Sequence, residues 1–224
     1  MSKPILYYFE ICPPSRAIRL ALNVIGLDVD YRHINIIEGE QNTPEFLAIN
    51  PLHTVPVFID DEVKLTDSHA ILPYLITKYG KDDTLYPSKP AIRARIDQYL
   101  HFNNSVLLTR YLKLAWACVR TKITEFPKDL VDNIMEALQF LEMFLQESGY
   151  LVGDGITLAD LPCGTVALTL TLLLPIDDKQ FPKIFAWIEK FNQLPKNKEV
   201  NVEPAIKITN RLKGILEENR KAQN

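Results

Sequence analysis

The chain has little of what marks disulfide-rich, membrane-spanning or nucleic-acid-binding proteins. Its three cysteines, Cys12, Cys118 and Cys163, are too few and too far apart for a disulfide framework or a CxxC metal site. No apolar run reaches the roughly 18 residues of a membrane span. A net charge of -3 provides no basic surface for nucleic acid. We therefore expect neither a metal, nor a membrane, nor a nucleic-acid partner.

The N-terminal stretch, MSKPILYY, also lacks the apolar core of a secretory signal peptide. This absence predicts a cytoplasmic protein. With 224 residues, 47% of them hydrophobic, the chain can bury a substantial core in one large domain or two small ones. Cys118 and Cys163 lie in apolar helical contexts, where cysteine behaves as a small buried hydrophobe.

The first 80 residues alternate between strand-like and helix-like patterns, which predicts an α/β domain. Short β-prone runs bounded by proline or turn residues indicate strands, and apolar residues at helical spacing indicate helices. The predicted order is β-α-β-α-β-β-α, with strand 4–9, helix 14–25, strand 28–36, helix 43–51, strands 55–60 and 63–66 joined by a hairpin turn, and helix 67–80.

Beyond residue 80 the pattern is helical only. Residues 81–90 are polar, contain proline and show no periodicity, so we interpret them as a linker between domain 1–80 and domain 91–224. The GDGITLADL stretch (153–161) resembles a capping box, with Thr157 as N-cap and Asp160 returning a bond to its amide. The predicted helices cover 91–120, 128–147, a buried segment around 165–175, 182–194 and 204–219.

A thiol stands at the first strand-to-helix junction, in YYFEICPPSRAIRL (7–20). Cys12 precedes a predicted helix, whose dipole is expected to lower the pKa of the thiol. Pro13 and Pro14 have no amide hydrogen to donate to the sulfur. A lone cysteine at a strand end is more often inert than reactive, so position alone leaves its role open.

Two further stretches carry possible binding groups. In NPLHTVPVF (50–58), Pro56 is either an edge proline or follows a cis bond; in the second case the Val55 amide and carbonyl are free to pair with an extended peptide. In LTDSHAI (65–71), Asp67 and Ser68 begin a helix. They can cap it, or bind a ligand that carries an amine and a carboxylate on one carbon.

The motifs ICPPSRAIRLAL, NPLHTVPVF, LTDSHAI and GITLADL, in this order, resemble cytosolic glutathione transferases, with the insect delta and epsilon classes most similar. The resemblance implies a thioredoxin-like N-terminal domain with a four-stranded mixed sheet and an all-α C-terminal domain. It also implies a homodimer that conjugates reduced glutathione, its co-substrate, to hydrophobic electrophiles in detoxification. The implied glutathione contacts are Val55 and Pro56 at the cysteinyl part, Asp67 and Ser68 at the γ-glutamyl group, and His53 and Gln41 at the glycine end.

This sequence departs from the family pattern at residue 12, where the delta and epsilon classes usually carry a serine that hydrogen-bonds the glutathione sulfur. Three roles are open. Cys12 can donate a weaker hydrogen bond, or form a mixed disulfide with glutathione in a thioltransferase or dehydroascorbate-type reductase. Alternatively, Ser15 acts as the donor. The change at residue 12 also leaves open a non-catalytic ligand-binding protein.

The second substrate is expected between the two domains, above the glutathione sulfur. Four residues of one predicted helix share a face at the spacing i, i+3, i+7 and i+11, namely Leu108, Tyr111, Ala115 and Val119. The same spacing also suits plain core packing. Trp116 fits the rim of such a pocket or the core. The candidate wall residues are Ile11, Ile36, Leu108, Tyr111, Ala115 and Val119.

Overall fold

The computed structural model describes residues 2–61, 63–145 and 148–223. Its N-terminal lobe alternates strands and helices in the predicted order, with one additional turn of 3-10 helix at Glu40–Asn42. The elements of this lobe are β1 (Ile5–Tyr8), α1 (Pro13–Ile25), β2 (Asp30–His33), α2 (Pro44–Ile49), β3 (Val57–Ile59), β4 (Lys64–Leu65) and α3 (Ser68–Tyr79).

The four strands form one mixed sheet in the order β2-β1-β3-β4. β1 pairs in parallel with β2, with Ile5 opposite Asp30, and α1 makes the crossover that a parallel pair requires. β3 runs antiparallel to β1 and to β4. The predicted thioredoxin-like arrangement with a four-stranded mixed sheet is therefore confirmed.

Every strand is shorter than its pattern predicted. The second strand ends at His33, because the Asn35 side chain accepts hydrogen bonds from the amides of Ile37 and Glu38 and turns the chain out of the sheet. The hairpin between β3 and β4 is closed by reciprocal backbone bonds between Asp60 and Val63. Glu62, in the predicted turn, lies outside the described residues.

Among the described residues of the C-terminal lobe, all regular elements are helices. The predicted helix 91–120 consists of α4 and α5, joined without a break by a π-helical turn at Asn103–Leu107. Residues 146 and 147, the predicted end of helix 128–147, lie outside the described residues. The α-helices are α4 (Pro90–Phe102), α5 (Leu108–Arg120), α6 (Lys128–Phe144), α7 (Asp160–Leu173), α8 (Pro182–Lys190) and α9 (Glu203–Gln223), and a π-helical turn at Lys198–Val202 precedes α9.

Helix α7 is the centre of the C-terminal lobe. Nearly all of its residues are buried, in agreement with the predicted core helix at 165–175. Its last ten residues, GTVALTLTLL, offer apolar and small side chains on every face, as a helix surrounded by protein must. Among the described helices, none combines the length and the apolar character that crossing a bilayer requires.

The start of α7 confirms one part of the predicted capping box, the bond between Asp160 and the Thr157 amide, but not Thr157 as N-cap. The helix begins at Asp160, and Thr157 lies before it rather than at its N-cap. The Thr157 hydroxyl donates to the Asp160 carboxylate at 2.8 Å, and the Thr157 amide donates at 2.7 Å. Trp187 Nε1 and the Leu151 amide donate to the other carboxylate oxygen. Asp160 thus gathers four donors, because a buried carboxylate must have its lone pairs satisfied.

The two lobes share one continuous hydrophobic core. Residues 81–89 contain no regular element, yet they are packed in place, since the Leu158 amide donates to the Leu85 carbonyl at 2.7 Å and Tyr86 is buried. Arg16, fully buried on α1, reaches into the second lobe and donates to the carbonyl oxygens of Thr165 and Asn201. The lobes are therefore held in a definite mutual position, which shapes the cleft between them.

Candidate functional site

The sheet register brings the three candidate motifs to one end of the sheet. Because β1 and β3 are antiparallel with Tyr7 opposite Val57, the loop after β1 lies beside the loop before β3. Because β3 and β4 are also antiparallel, the end of β4 and the start of α3 come to the same end. Cys12, Val55 and Asp67 therefore stand on three adjacent loops, although up to 55 positions separate them.

Cys12 occupies the N-cap position of α1 and contacts the loop before β3. Its backbone is extended and its amide donates to the Phe9 carbonyl at 3.1 Å. Its Sγ atom lies 3.9 Å from the carbonyl oxygen of Val55, within reach of an S–H···O hydrogen bond. The Val55–Pro56 peptide bond is cis, which is one of the two geometries that the sequence left open.

The pKa of the Cys12 thiol differs in direction from the sequence-based expectation. Burial raises this pKa above its ordinary value, and it outweighs the lowering by hydrogen bonds from Ser15 and by the charge of Arg16. The expectation considered only the dipole of α1, which is a local effect. Desolvation by the surrounding protein opposes it. At neutral pH Cys12 is accordingly a thiol that can donate a hydrogen bond.

Ser15 lies behind the site rather than in it. Its side chain is fully buried and accepts a hydrogen bond from the Phe9 amide at 3.4 Å. It therefore connects the first turn of α1 to the end of β1. A hydroxyl without exposed surface cannot contact a ligand directly, so the structure places Ser15 as a support for the loop that carries Cys12.

Val55 presents backbone groups that the sheet does not use. Its side chain is almost fully buried, and its amide donates to none of the described residues. Among the described residues, its carbonyl receives only the weak contact from Cys12. A free amide and a free carbonyl on one residue are what an extended peptide needs in order to pair with a strand edge.

Asp67 and Ser68 begin α3 and belong to a network that the sequence did not reveal. The Asp67 carboxylate caps the helix by accepting from the His69 amide at 2.7 Å, and more than half of its side chain is exposed. Ser68 Oγ lies 3.3 Å from His69 Nδ1, and His69 Nε2 lies 2.9 Å from Asn103 Oδ1. The start of α3 is thereby tied to the π-helical turn after α4.

The Asp67 carboxylate is ionised and accessible to a cationic group. Hydrogen bonding to His69 lowers the pKa of Asp67 against the opposing effect of burial, so the group is ionised at neutral pH. Since the helix cap leaves much of the carboxylate accessible, capping and ligand binding are compatible here. The sequence had presented them as alternatives.

Gln41 and His53 lie in the segment between β2 and β3. Gln41 is partly buried in the short 3-10 helix, and its side-chain oxygen finds no hydrogen-bond partner among the described residues. His53 is exposed and adopts a positive φ of 45°. Within the described parts of the chain, no hydrogen bond or ion pair joins either residue to Asp67 or Ser68.

An apolar cavity of about 220 Å³ opens beside Cys12, between the two lobes. Five of the six predicted wall residues line it, namely Ile11, Ile36, Tyr111, Ala115 and Val119. Leu108 does not line it and packs in the main core. On α5 the cavity lining begins at Tyr111, one turn further along the helix than Leu108.

The opposite wall of this cavity was missed by the sequence reasoning. It comes from α9, which contributes Ile208, Arg211 and Leu212. The sequence predicted a helix at 204–219, but a predicted helix does not identify what it faces. The sequence did not decide whether Trp116 lies at the rim of the pocket or in the core. In the structure it lines the cavity and is 42% exposed. The remaining lining residues are Phe9, Pro13, Ile37 and Leu112.

The other two cysteines are structural. Cys118 and Cys163 are buried, as predicted, and burial raises the pKa of Cys118 to about 11. In the described residues, no group of three or more histidine, cysteine or acidic side chains is arranged to hold a metal ion. Cys12 is thus the thiol that borders the cavity.

The chain matches two family models. Residues 6–83 match "Glutathione S-transferase, N-terminal domain", and residues 108–195 match "Glutathione S-transferase, C-terminal domain". The first match covers the sheet and the three loops, and the second covers most of the helical lobe. The two lobes that border the cleft therefore match models of the same family.

Characterised relatives and solved structures agree with these matches. Glutathione S-transferase 1 of Manduca sexta is 36% identical over 198 residues, which are 88% of this chain and 91% of the relative. An epsilon-class glutathione S-transferase from the housefly superposes with a TM-score of 0.89 at 37% identity, over 95% of this chain and 98% of the other. A glutathione transferase homologue from Drosophila mojavensis, solved with bound glutathione, gives 0.91 at 37% identity, over 96% and 98%.

Proposed function

This chain belongs to the glutathione S-transferase family, and we propose that it conjugates reduced glutathione to hydrophobic electrophiles at the cleft beside Cys12. The observation that carries the proposal is the position of Cys12 Sγ, 3.9 Å from the Val55 carbonyl and on the wall of an apolar cavity. A peptide-binding edge and a hydrophobic cavity meet at this point. A transferase that joins a tripeptide thiol to an apolar molecule needs that combination.

Glutathione fits the three loops in one orientation. Its cysteinyl residue would pair with the free amide and carbonyl of Val55. Its γ-glutamyl amine would then meet the ionised Asp67 carboxylate, while its carboxylate would meet Ser68 and the amides at the start of α3. The glycine end would lie toward Gln41 and His53. This orientation directs the glutathione sulfur to Cys12 and the cavity.

Cys12 is proposed to act as a hydrogen-bond donor. Its raised pKa keeps the proton on its own sulfur, and that S–H group can donate to the glutathione thiolate. Such a bond stabilises the thiolate, which is the nucleophile, but less than a hydroxyl would because S–H is a weak donor. Much of the rate enhancement is then expected from proximity, since the cavity concentrates the electrophile beside the sulfur.

The experiment that tests this role is the Cys12→Ser variant, assayed with glutathione and chlorodinitrobenzene. A hydroxyl donates better than a thiol, so kcat/KM should rise several-fold and its pH profile should move to lower pH. Wild-type protein that binds glutathione but turns over no electrophile would contradict the transferase and would favour a ligand-binding protein. A loss of conjugation in the serine variant would contradict the donor role.

A thioltransferase that uses Cys12 as a nucleophile predicts a different outcome. Incubation with oxidised glutathione would then add one glutathione to the intact protein, and Cys12→Ser would abolish the adduct. Because burial raises the pKa of Cys12, we expect little or no adduct at neutral pH. The buried Cys118 and Cys163 serve as internal controls, since neither should be modified in the folded protein.

The cellular context is proposed from family membership. Its relatives include insect glutathione S-transferases, so a cytoplasmic role in detoxification and a homodimeric assembly are expected. Sedimentation velocity tests the assembly directly: a species of about 51 kDa, twice the 25.7 kDa chain, would support the dimer. A monomer at micromolar concentration would contradict it.

A further inference from the structure

The electrophile cavity is apolar inside but cationic at its rim. Arg211 of α9 lines the cavity and is exposed. Arg120 of α5 stacks on Trp116, with its guanidinium carbon 4.1 Å from the centre of the indole ring. Trp116 itself lines the cavity, so a second guanidinium group lies one side chain away from the lining.

Neither arginine is neutralised by a neighbour. Arg120 and Arg211 form no ion pair with an acidic side chain anywhere in the described chain, and Arg211 makes no hydrogen bond there either. The cavity lining contains no aspartate or glutamate. Some other cations are paired with a carboxylate, as Arg110 is with Glu136 at 2.8 Å and Lys207 with Glu10 at 2.6 Å.

This local charge is opposite in sign to that of the whole chain. The protein carries a net charge of -3, so unpaired cations at one opening are not a consequence of a generally basic surface. Guanidinium groups beside an apolar cavity attract an anion whose remaining part is hydrophobic, and a carboxylate can bind Arg211 through two parallel hydrogen bonds. The Arg211 side chain is free to make these bonds.

We propose that the cavity selects amphipathic anions: electrophiles with an apolar body that fills the space beside Cys12 and a carboxylate that binds Arg211 at the rim. The carboxylate end remains at the solvent edge, where its desolvation cost is small, while the reactive carbon reaches the glutathione sulfur. This inference rests on the proposed transferase function and names the substrate class of the same site.

The probe is an α,β-unsaturated aldehyde with a long apolar chain and a terminal carboxylate, compared with its methyl ester. In each case the glutathione sulfur bonds to the β-carbon, the C=C π bond breaks, and the thiol proton ends on the α-carbon, so no further reactant is needed. The two probes share one reactive centre, and the chain separates it from the charge. A difference between them in KM therefore reports recognition of the carboxylate.

We expect Arg211→Gln to raise KM for the carboxylate probe about tenfold, as loss of a charge-assisted bond does, and to leave the ester within about twofold. Lys213→Gln is the matched control: it removes the same charge two positions along α9, where the side chain donates to the Leu172 carbonyl instead. Equal effects of Arg211→Gln on both probes, or an equal effect of Lys213→Gln, would overturn the inference.

A binding measurement separates this inference from the proposed function. Decanoate and methyl decanoate are added separately to the protein, and binding is followed by the change in tryptophan fluorescence. The Trp116→Phe variant shows which part of the signal comes from Trp116 and which from the buried Trp187. If decanoate binds more tightly than methyl decanoate, and if Arg211→Gln removes this difference, the anion site is supported even when no electrophile is turned over. Equal binding of acid and ester refutes it even in a protein that conjugates chlorodinitrobenzene.

Discussion

The guanidinium group of Arg16 donates to the backbone carbonyl of Asn201 at 2.9 Å, across 185 positions of sequence. Arg16 is fully buried one helical turn after Cys12, and its partners are carbonyl and side-chain oxygens rather than a carboxylate. Burial lowers the pKa of Arg16 to about 10, which still leaves it charged at neutral pH. The helix that presents Cys12 is thus bonded to the lobe that forms the substrate cavity.

Replacing Arg16 with alanine is expected to lower the free energy of unfolding by about 3–5 kcal/mol. The change leaves a cavity and removes charged hydrogen bonds, each of which contributes about 1.5–3 kcal/mol. Urea denaturation followed by circular dichroism measures the loss. The control is Arg19→Ala on the same helix, where a partly exposed side chain stacks on Tyr8 and about 1 kcal/mol is expected. Equal losses in the two variants would contradict a special role for Arg16.

Asp60 is expected to make stability depend on pH in the acid range. Its side chain is 5% exposed, and burial raises its pKa, but hydrogen bonds from Tyr79, Lys78 and Tyr74 lower it to about 2. Because the folded pKa lies below the unfolded value near 4, this contribution is fully present above pH ~4 and is lost as pH falls through about 2. Its size is about 2 kcal/mol.

The measurement is the free energy of unfolding of wild type and Asp60→Asn between neutral pH and pH ~2. The difference should be largest near neutrality and should shrink on acidification. Asp61→Asn, at the neighbouring exposed position, is the control for the loss of one surface carboxylate. A difference for Asp60→Asn that is constant over the whole range would refute the assignment.

Asp67 is expected to bind the amine of the γ-glutamyl group. Asp67→Asn should weaken glutathione binding about tenfold or more, since it removes a charge-assisted hydrogen bond. It should change stability little, because asparagine caps helices as well as aspartate does. Calorimetric titration with glutathione and with a glutathione analogue that lacks this amine separates the two effects. If the variant weakens both ligands equally, the carboxylate does not contact the amine.

Local features of the chain were predictable because they depend on neighbours in sequence. The proline at the first position of α1, the glycine that ends this helix with φ of 71°, and the Asp67 cap of α3 follow from rules that act within one turn. The order of strands and helices and the separation into an α/β part and a helical part follow from periodicity. The strand ends did not, since Asn35 ended β2 through a side-chain turn.

The candidate site was predictable only in part, and each error has a tertiary cause. The pKa of Cys12 was expected to fall because a helix dipole is visible in sequence, whereas the burial that raises it is not. Leu108 shares the spacing of its neighbours on α5, but the cavity lining on this helix begins one turn later, at Tyr111. The link from His69 to Asn103 spans 34 positions and has no local signal.

The amino-acid sequence by itself determined the elements, the loop that carries Cys12 and the residues available to hold a tripeptide, because propensity, capping and turn chemistry act between near neighbours. Tertiary structure alone decided which surfaces face one another. It placed α9 opposite α5, brought Arg211 to the cavity without an ion pair among the described residues, and partly desolvated the Cys12 thiol. Desolvation and the meeting of distant side chains are properties of the packed chain, so no stretch of sequence contains them.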